Sequence, residues 1–166
     1  MTGIVTIVGG ANSGKTTLIE KLIPVLKRRG YKVGTVKHVM HELVFDQSGK
    51  DSWRHVEAGA ETVLVDAEQA VFMFKAAHAS SGNAQRLKDY VNKYLSDVDI
   101  VLAEGYKKQD LKKIEVYRKN DETVPVCLQD PNLVALVTDA RIEAGVPSYG
   151  LEDIESIADK IIKIAG

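Results

Sequence analysis

Ile4-Val5-Thr6-Ile7-Val8-Gly9-Gly10-Ala11-Asn12-Ser13-Gly14-Lys15-Thr16-Thr17, near the amino terminus of a 166-residue chain, is the stretch from which the fold can be read. Ile4 to Val8 is an apolar run of strand length, and beyond Thr17 the residues Leu18, Ile19, Leu22, Ile23 and Leu26 recur at helical spacing. Between them, Gly9 to Thr16 satisfies G-x-x-x-x-G-K-[ST]. In such a loop a strand delivers the chain to a glycine-rich bend whose N–H groups point inward. The following helix adds the positive end of its dipole. Glycine is needed where the backbone curls close to oxygen atoms that a Cβ would obstruct. Lys15 is placed to reach β- and γ-phosphates, and the Thr16 hydroxyl to take one position on Mg²⁺. A chance strand–turn–helix has no reason to match every fixed position, so a nucleoside di- or triphosphate is the expected ligand.

Composition fits one compact domain, residues 1–166. The chain is 45% hydrophobic and 27% charged, enough apolar material for a real core. A net charge of −1 gives no global attraction to nucleic acid or to an anionic membrane, so neither is an expected partner. Cys127 is the single cysteine, which excludes an internal disulfide and suits a reducing compartment. Lying in the run Val124 to Leu128, it reads as a small apolar residue rather than a nucleophile. There is neither a signal-peptide pattern nor an apolar run of membrane-spanning length, so the expected location is cytoplasmic.

Strands and helices alternate along the chain. Gly30 is placed to stop the first helix, which Pro24 interrupts without ending its apolar face. Lys32 to Val36 reads as a strand, Trp53 to Ala58 as a short helix, and Thr62 to Val65 with Val71 to Phe74 as a hairpin. Leu87, Tyr90, Val91, Tyr94 and Leu95 give an amphipathic helix. Asp99 to Ala103, Ile114 to Tyr117 and Val134 to Val137 supply further strands, and Leu151 to Ile162 a closing helix. The expected fold is α/β, a P-loop-type three-layer arrangement with a mainly parallel sheet covered by helices on both faces. Ligands of such sheets bind beyond the carboxyl ends of the strands, so the polar residues that follow strands are the candidates.

Glu104 ends the apolar strand Ile100-Val101-Leu102-Ala103, where a phosphate-loop site needs an acid to hold hydrated Mg²⁺ or to orient a water. Its length favours contact with the ion through a water. The segment from His38 to Ser52 is polar and long enough to suggest a functional loop. Within it Asp46-Gln47-Ser48-Gly49 fits D-x-x-G, while Asp51 or Ser52 is equally able to cap the next helix. His38 and His41 have a spacing that a metal could use, but no third ligand is evident and solvated loop histidines fit as well. The guanine-reading N-K-x-D is missing. Asp139, after Val137-Thr138, is placed to accept hydrogen bonds from a guanine edge, or equally to cap a turn.

Taken together, Gly9 to Thr16, Leu22-Ile23-Pro24, Lys37-His38-x-x-His41, Asp46, Gly49-Lys50-Asp51-Ser52, Ala58-Gly59-Ala60, Glu104-Gly105-Tyr106-Lys107 and Val137-Thr138-Asp139 resemble the MobB family, the molybdopterin-guanine dinucleotide biosynthesis adapters. The resemblance runs in order along nearly the whole chain. It implies a homodimeric GTP-binding protein with at most slow GTP hydrolysis. It also implies that the protein assists the guanylyltransferase MobA in attaching GMP to molybdopterin, with the molybdenum insertase as a further partner. Carried onto this sequence, Gly9, Gly10, Ala11, Asn12, Ser13, Gly14, Lys15, Thr16 and Thr17 bind the nucleotide. Thr16 and Glu104 stand on the Mg²⁺ side, Glu104 and Asp46 are the candidate catalytic acids, and Gly49, Lys50, Asp51 and Ser52 form a second loop. Asp139 is the candidate base reader.

Two other classes share the phosphate loop. A small P-loop metabolite kinase should carry an arginine-rich lid, whereas Arg86, Arg118 and Arg141 are isolated in the sequence. A GTP-dependent metal-insertion chaperone could use His38 and His41 but should bring a cysteine or more histidines to them, and Cys127 is far along the chain.

Overall fold

The computed structural model describes residues 2–39, 44–76, 83–119 and 124–166. Two units emerge, one of residues 1–38 with 82–166 and the other of residues 39–81. The larger unit is built around β1 (Gly3–Val8), whose last four residues are buried. It sits inside a six-stranded sheet with β2 (Val33–Lys37), β5 (Ile100–Glu104), β6 (Lys113–Tyr117), β7 (Leu133–Thr138) and β8 (Ser148–Tyr149), in the order β2-β5-β1-β6-β7-β8. Every pairing is parallel. The chain leaves β1 to one side for β2 and later fills the other side with β6, β7 and β8. The carboxyl end of β1 is therefore the switch point at which an open parallel sheet offers a crevice.

The near-continuous apolar runs of β1, β5 and β7 follow from this arrangement, since parallel strands are covered on both faces. On one face, Leu18, Leu22 and Leu26 of α1 (Lys15–Arg28) join Ile157 and Ile161 of α4 (Ile154–Ala165) over Val5, Ile7, Leu102 and Val137. Pro24 lies inside α1 with its ring exposed, so the missing donor falls on the solvent side and the buried face is continuous. On the other face, Leu87 and Val91 of α3 (Asn83–Tyr94) cluster with Val101 and Ala103. The three-layer α/β architecture expected from the sequence is thus observed.

Beside α3, part of the second face is covered by irregular chain around residues 124–130, and the physics there is different. Irregular backbone brings N–H and C=O groups that have no ladder to satisfy them. The sheet supplies partners from β6: Glu115, 1% exposed, accepts the N–H groups of Val126 and Cys127 at 2.6 and 2.9 Å. Lys113, fully buried, donates to the carbonyls of Lys107 and Gln109 at 3.1 and 2.8 Å and pairs with Asp130. These two charges in an otherwise apolar strand are how the loop is held. Cys127 packs there with Val8 and Leu133 as a small apolar residue.

The smaller unit contains α2 (Asp51–Glu57) and an antiparallel hairpin of β3 (Thr62–Ala67) and β4 (Ala70–Lys75), with Val63 opposite Phe74 and Leu64 opposite Met73. One ribbon face is covered in part: Val63 is 7% exposed, and the Phe74 ring lies 5.3 Å from that of Phe45. The opposite face carries Leu64, Val71 and Met73, all exposed within the chain. Most boundaries fall a few residues from expectation, and one shift changes residue roles. The helix begins at Asp51 rather than Trp53, which makes Lys50 the residue at its cap and places Asp51 and Ser52 in its first turn. In the larger unit β8 is a strand of two residues, too short to show any periodicity.

Candidate functional site

Residues 9–14 cross from β1 to α1 in a tight curl. Gly9 and Gly14 have φ of +144° and +98°, and Asn12 is also left-handed at +59°. A Cβ at Gly9 would stand 2.3 Å from the Val116 carbonyl oxygen, so the loop has no room for any other residue there. Gly14 caps α1, and its carbonyl accepts the Leu18 N–H at 2.9 Å. No acidic residue occupies the first turn of α1, so the positive end of the helix dipole faces the loop. The Lys15 ammonium folds back over the loop and donates to the Gly10 carbonyl, which holds its charge above the curl. Ser13 is fully buried, and its hydroxyl has no hydrogen-bond partner among the described residues.

Glu104 is brought to this loop by strand register. β5 pairs with β1 so that Glu104 lies opposite Ile7, two residues before Gly9. The Thr16 hydroxyl donates to the Glu104 carboxylate, at 3.2 Å from one oxygen and 3.1 Å from the other. The chain then turns through Gly105 and Tyr106, both left-handed, with φ of +96° and +61°. The Gly105 N–H donates to the Ile7 carbonyl at 3.0 Å, tying the turn to β1. A positive φ is uncommon for an aromatic residue. It is accommodated here because the half-buried Tyr106 ring packs on His38 at 4.9 Å, and burial raises its phenol pKa. His38 is therefore engaged with an aromatic ring, while His41 lies outside the described residues.

Arg118 is the residue that sequence order concealed. It stands one position beyond β6, on the flank of the loop opposite Glu104. Its Nε donates to the Ser13 carbonyl at 3.3 Å, and its guanidinium lies 3.1 Å from where a Cβ on Gly14 would stand. Isolation in the sequence is not isolation in space. The rule that polar residues after strands are candidates would have found it, had it been applied to β6 as it was to β5. Asp139, one position beyond β7, uses one carboxylate oxygen to accept the Lys119 N–H at 2.7 Å, so it links the ends of β6 and β7.

The second-loop residues come together within the smaller unit. The Asp46 carboxylate accepts from the Ser52 hydroxyl and from the Gln47 N–H at 2.7 Å, and the Lys50 ammonium stands 3.7 Å away. The hydrogen bond from Ser52, followed by that from Gln47, lowers the Asp46 pKa and keeps it ionised. Asp51 faces Arg54 at 4.0 Å on the exposed side of α2. Gly49 supplies the turn before the helix, with φ of +92°.

The donor set suits a polyphosphate with a hard divalent ion: a curl of amides that includes Gly9, Gly10 and Gly14, a lysine above it, and two oxygen-bearing side chains at one edge. Fold and loop define an α/β protein of the P-loop class. A family model described as "Molybdopterin guanine dinucleotide synthesis protein B" matches residues 4–139, and the chain belongs to this MobB family. Among similar proteins, the Escherichia coli (strain K12) molybdopterin-guanine dinucleotide biosynthesis adapter protein is 30% identical over 92% of this chain and 87% of its own. The Haemophilus influenzae protein of the same name is 35% identical over 93% and 85%. The crystal structure of a molybdopterin-guanine biosynthesis protein B superposes with a TM-score of 0.77 at 30% identity, covering 98% of both chains. The Bacillus subtilis MobB structure gives 0.73 at 25% identity, over 96% of this chain and 98% of that one.

Proposed function

We propose that this protein is a GTP-binding adapter of molybdenum cofactor biosynthesis, assisting a MobA-type guanylyltransferase that attaches GMP to molybdopterin. The observation that carries the nucleotide part is the Thr16–Glu104 pair at the mouth of the loop, 3.1 Å apart. A hydroxyl and a carboxylate held together beside a lysine are the oxygen ligands that Mg²⁺ takes, directly or through water. Gly9 to Thr17 bind the phosphates in this reading. Glu104 balances the ion, and Asp46 with Gly49 to Ser52 forms a second loop serving the nucleotide or a partner. Asp139 keeps one carboxylate oxygen beyond its Lys119 bond for a guanine edge. Mg²⁺ supplies charge neutralisation at the β- and γ-phosphates. Hydrolysis is slow at most in this reading.

The adapter part follows from family membership and from the names of the relatives. In this reading residues 39–81 are an insertion within a single P-loop domain, and the protein works in the cytoplasm. No helix among the described residues is long and apolar enough to cross a membrane. The exposed apolar face of Leu64, Val71 and Met73 supports a homodimer. The molybdenum insertase is a second candidate partner.

The test is a reconstituted guanylylation assay with a MobA-type enzyme, molybdopterin and GTP, run beside competition titrations of GTP and ATP. Wild-type protein should stimulate product formation and prefer GTP. Lys15→Ala should lose most triphosphate affinity with the fold intact, because the cation at the β/γ position is gone. Lys50→Ala with Asp51→Ala should keep its melting temperature and lose stimulation. Equal GTP and ATP affinities would remove the guanine assignment, and absence of stimulation by the wild type would remove the adapter role.

A further inference from the structure

We propose that Arg118 is the nucleoside-side residue of the phosphate loop, its guanidinium plane packing against the purine of the bound nucleotide. The inference rests on the nucleotide site proposed above and adds the direction in which the nucleoside leaves it. Thr16 and Glu104 mark the metal flank, at the end of β5. Thr16 and Glu104 would hold a divalent ion that neutralises the terminal phosphates, so those phosphates would lie towards that flank. The α-phosphate and the nucleoside then run the other way, over Thr17 and the carboxyl ends of β6 and β7. Arg118 stands there.

Its geometry suits a platform rather than a phosphate clamp. The guanidinium runs along the outer edge of the loop, beside Gly14 and the Ser13 carbonyl, and the side chain is exposed. Its backbone is fixed from both directions, by β6 pairing before it and by the Lys119–Asp139 hydrogen bond after it. The hollow between Arg118, Thr17, Lys21 and Leu151 has a volume of about 20 Å³, room for a water rather than a ring, and the purine would therefore lie across its top. A guanidinium is a planar, delocalised cation that can lie flat on a purine ring, a geometry that a lysine ammonium lacks.

The experiment is calorimetric titration of Mg·GTP, Mg·GDP and Mg·tripolyphosphate into wild type, Arg118→Ala, Arg118→Lys and Lys15→Ala, with thermal melts of each. Arg118→Ala should bind GTP and GDP about three- to tenfold more weakly, the scale of one lost stacking contact, and Arg118→Lys, which keeps the charge but not the plane, should lose a smaller but measurable part. Their tripolyphosphate affinity should stay within about twofold of wild type, because that ligand has no nucleoside. An equal loss for tripolyphosphate would show that Arg118 serves the phosphates and would overturn the proposal. So would an Arg118→Ala protein with unchanged GTP affinity, or an Arg118→Lys protein indistinguishable from wild type. Failure of the underlying site has a different signature: wild type binds none of the three ligands, or Lys15→Ala binds all of them normally.

Discussion

Glu104 shows how one residue acquires a role from register. Its carboxylate reaches Thr16 because β5 runs parallel to β1 with Glu104 opposite Ile7, and a shift of one residue would turn it to the other face of the sheet. Glu104→Gln keeps shape and hydrogen bonding while removing the charge that, in the proposed site, would balance Mg²⁺. The expected result is an unchanged melting temperature with a raised Mg²⁺ requirement for GTP binding and slower hydrolysis; a titration showing the wild-type Mg²⁺ dependence would remove Glu104 from the site. Cys127 illustrates the opposite case, a residue whose chemistry is switched off. Burial, and then the neighbouring Glu115 carboxylate, push its thiol up to about 11 from an ordinary 9.0. The folded state thus favours the protonated thiol more than the unfolded chain does. The resulting stability is fully present below pH 9 and is lost as pH rises towards about 11. Denaturation of wild type and Cys127→Val across that range should show the wild type losing stability relative to the variant. Parallel curves would refute the shift.

At the scale of elements, what was legible in the sequence follows from which signals are local. β1, the phosphate loop and α1 were readable because an apolar run, fixed glycines and a helical stripe all lie within the first 28 residues and agree with one another. β5 and the start of the Glu104 turn were readable for the same reason. Lys113 and Glu115 were not. Their purpose depends on which chain covers β6, and residues 124–130 meet it only after folding. The same holds for Arg118, whose partners Ser13 and Gly14 are about a hundred positions away. Ser52 was ambiguous between helix cap and loop member, and the structure places it on Asp46 within the first turn of α2. The ion pair between Lys113 on β6 and Asp130 makes an asymmetric prediction. Burial alone would raise the Asp130 pKa, but the Lys113 ammonium and the Asn132 N–H together lower it. Asp130→Ala would strand a fully buried ammonium and should cost about 3–5 kcal/mol, whereas Lys113→Met leaves a carboxylate that still reaches solvent and should cost less. Urea denaturation of both variants decides it, and an equal or reversed order would contradict the assignment of Lys113 as the buried member.

For the whole molecule, the hairpin of the smaller unit raises a question that its own chain does not answer. Two-stranded ribbons are marginal in water unless a face is packed, and here the covered face is served by Phe45 while Leu64, Val71 and Met73 stay exposed. Leu64 and Met73 lie directly opposite each other, so their side chains form one continuous apolar strip with Val71 two positions along. A second copy of the chain would bring the same strip, which is the self-complementarity that a two-fold interface requires. Sedimentation equilibrium should therefore give twice the chain mass of 18.2 kDa for the wild type. Leu64→Ser with Met73→Ser should shift the mass towards 18.2 kDa, because both side chains are exposed in the single chain and their loss removes little from its own core. Binding of Mg·GTP should survive in that variant if the nucleotide site is built within one chain, and stimulation of the guanylyltransferase should fall if the adapter acts as a dimer. A wild type that sediments as a monomer at micromolar concentration would dismiss the homodimer and leave the strip for a different partner.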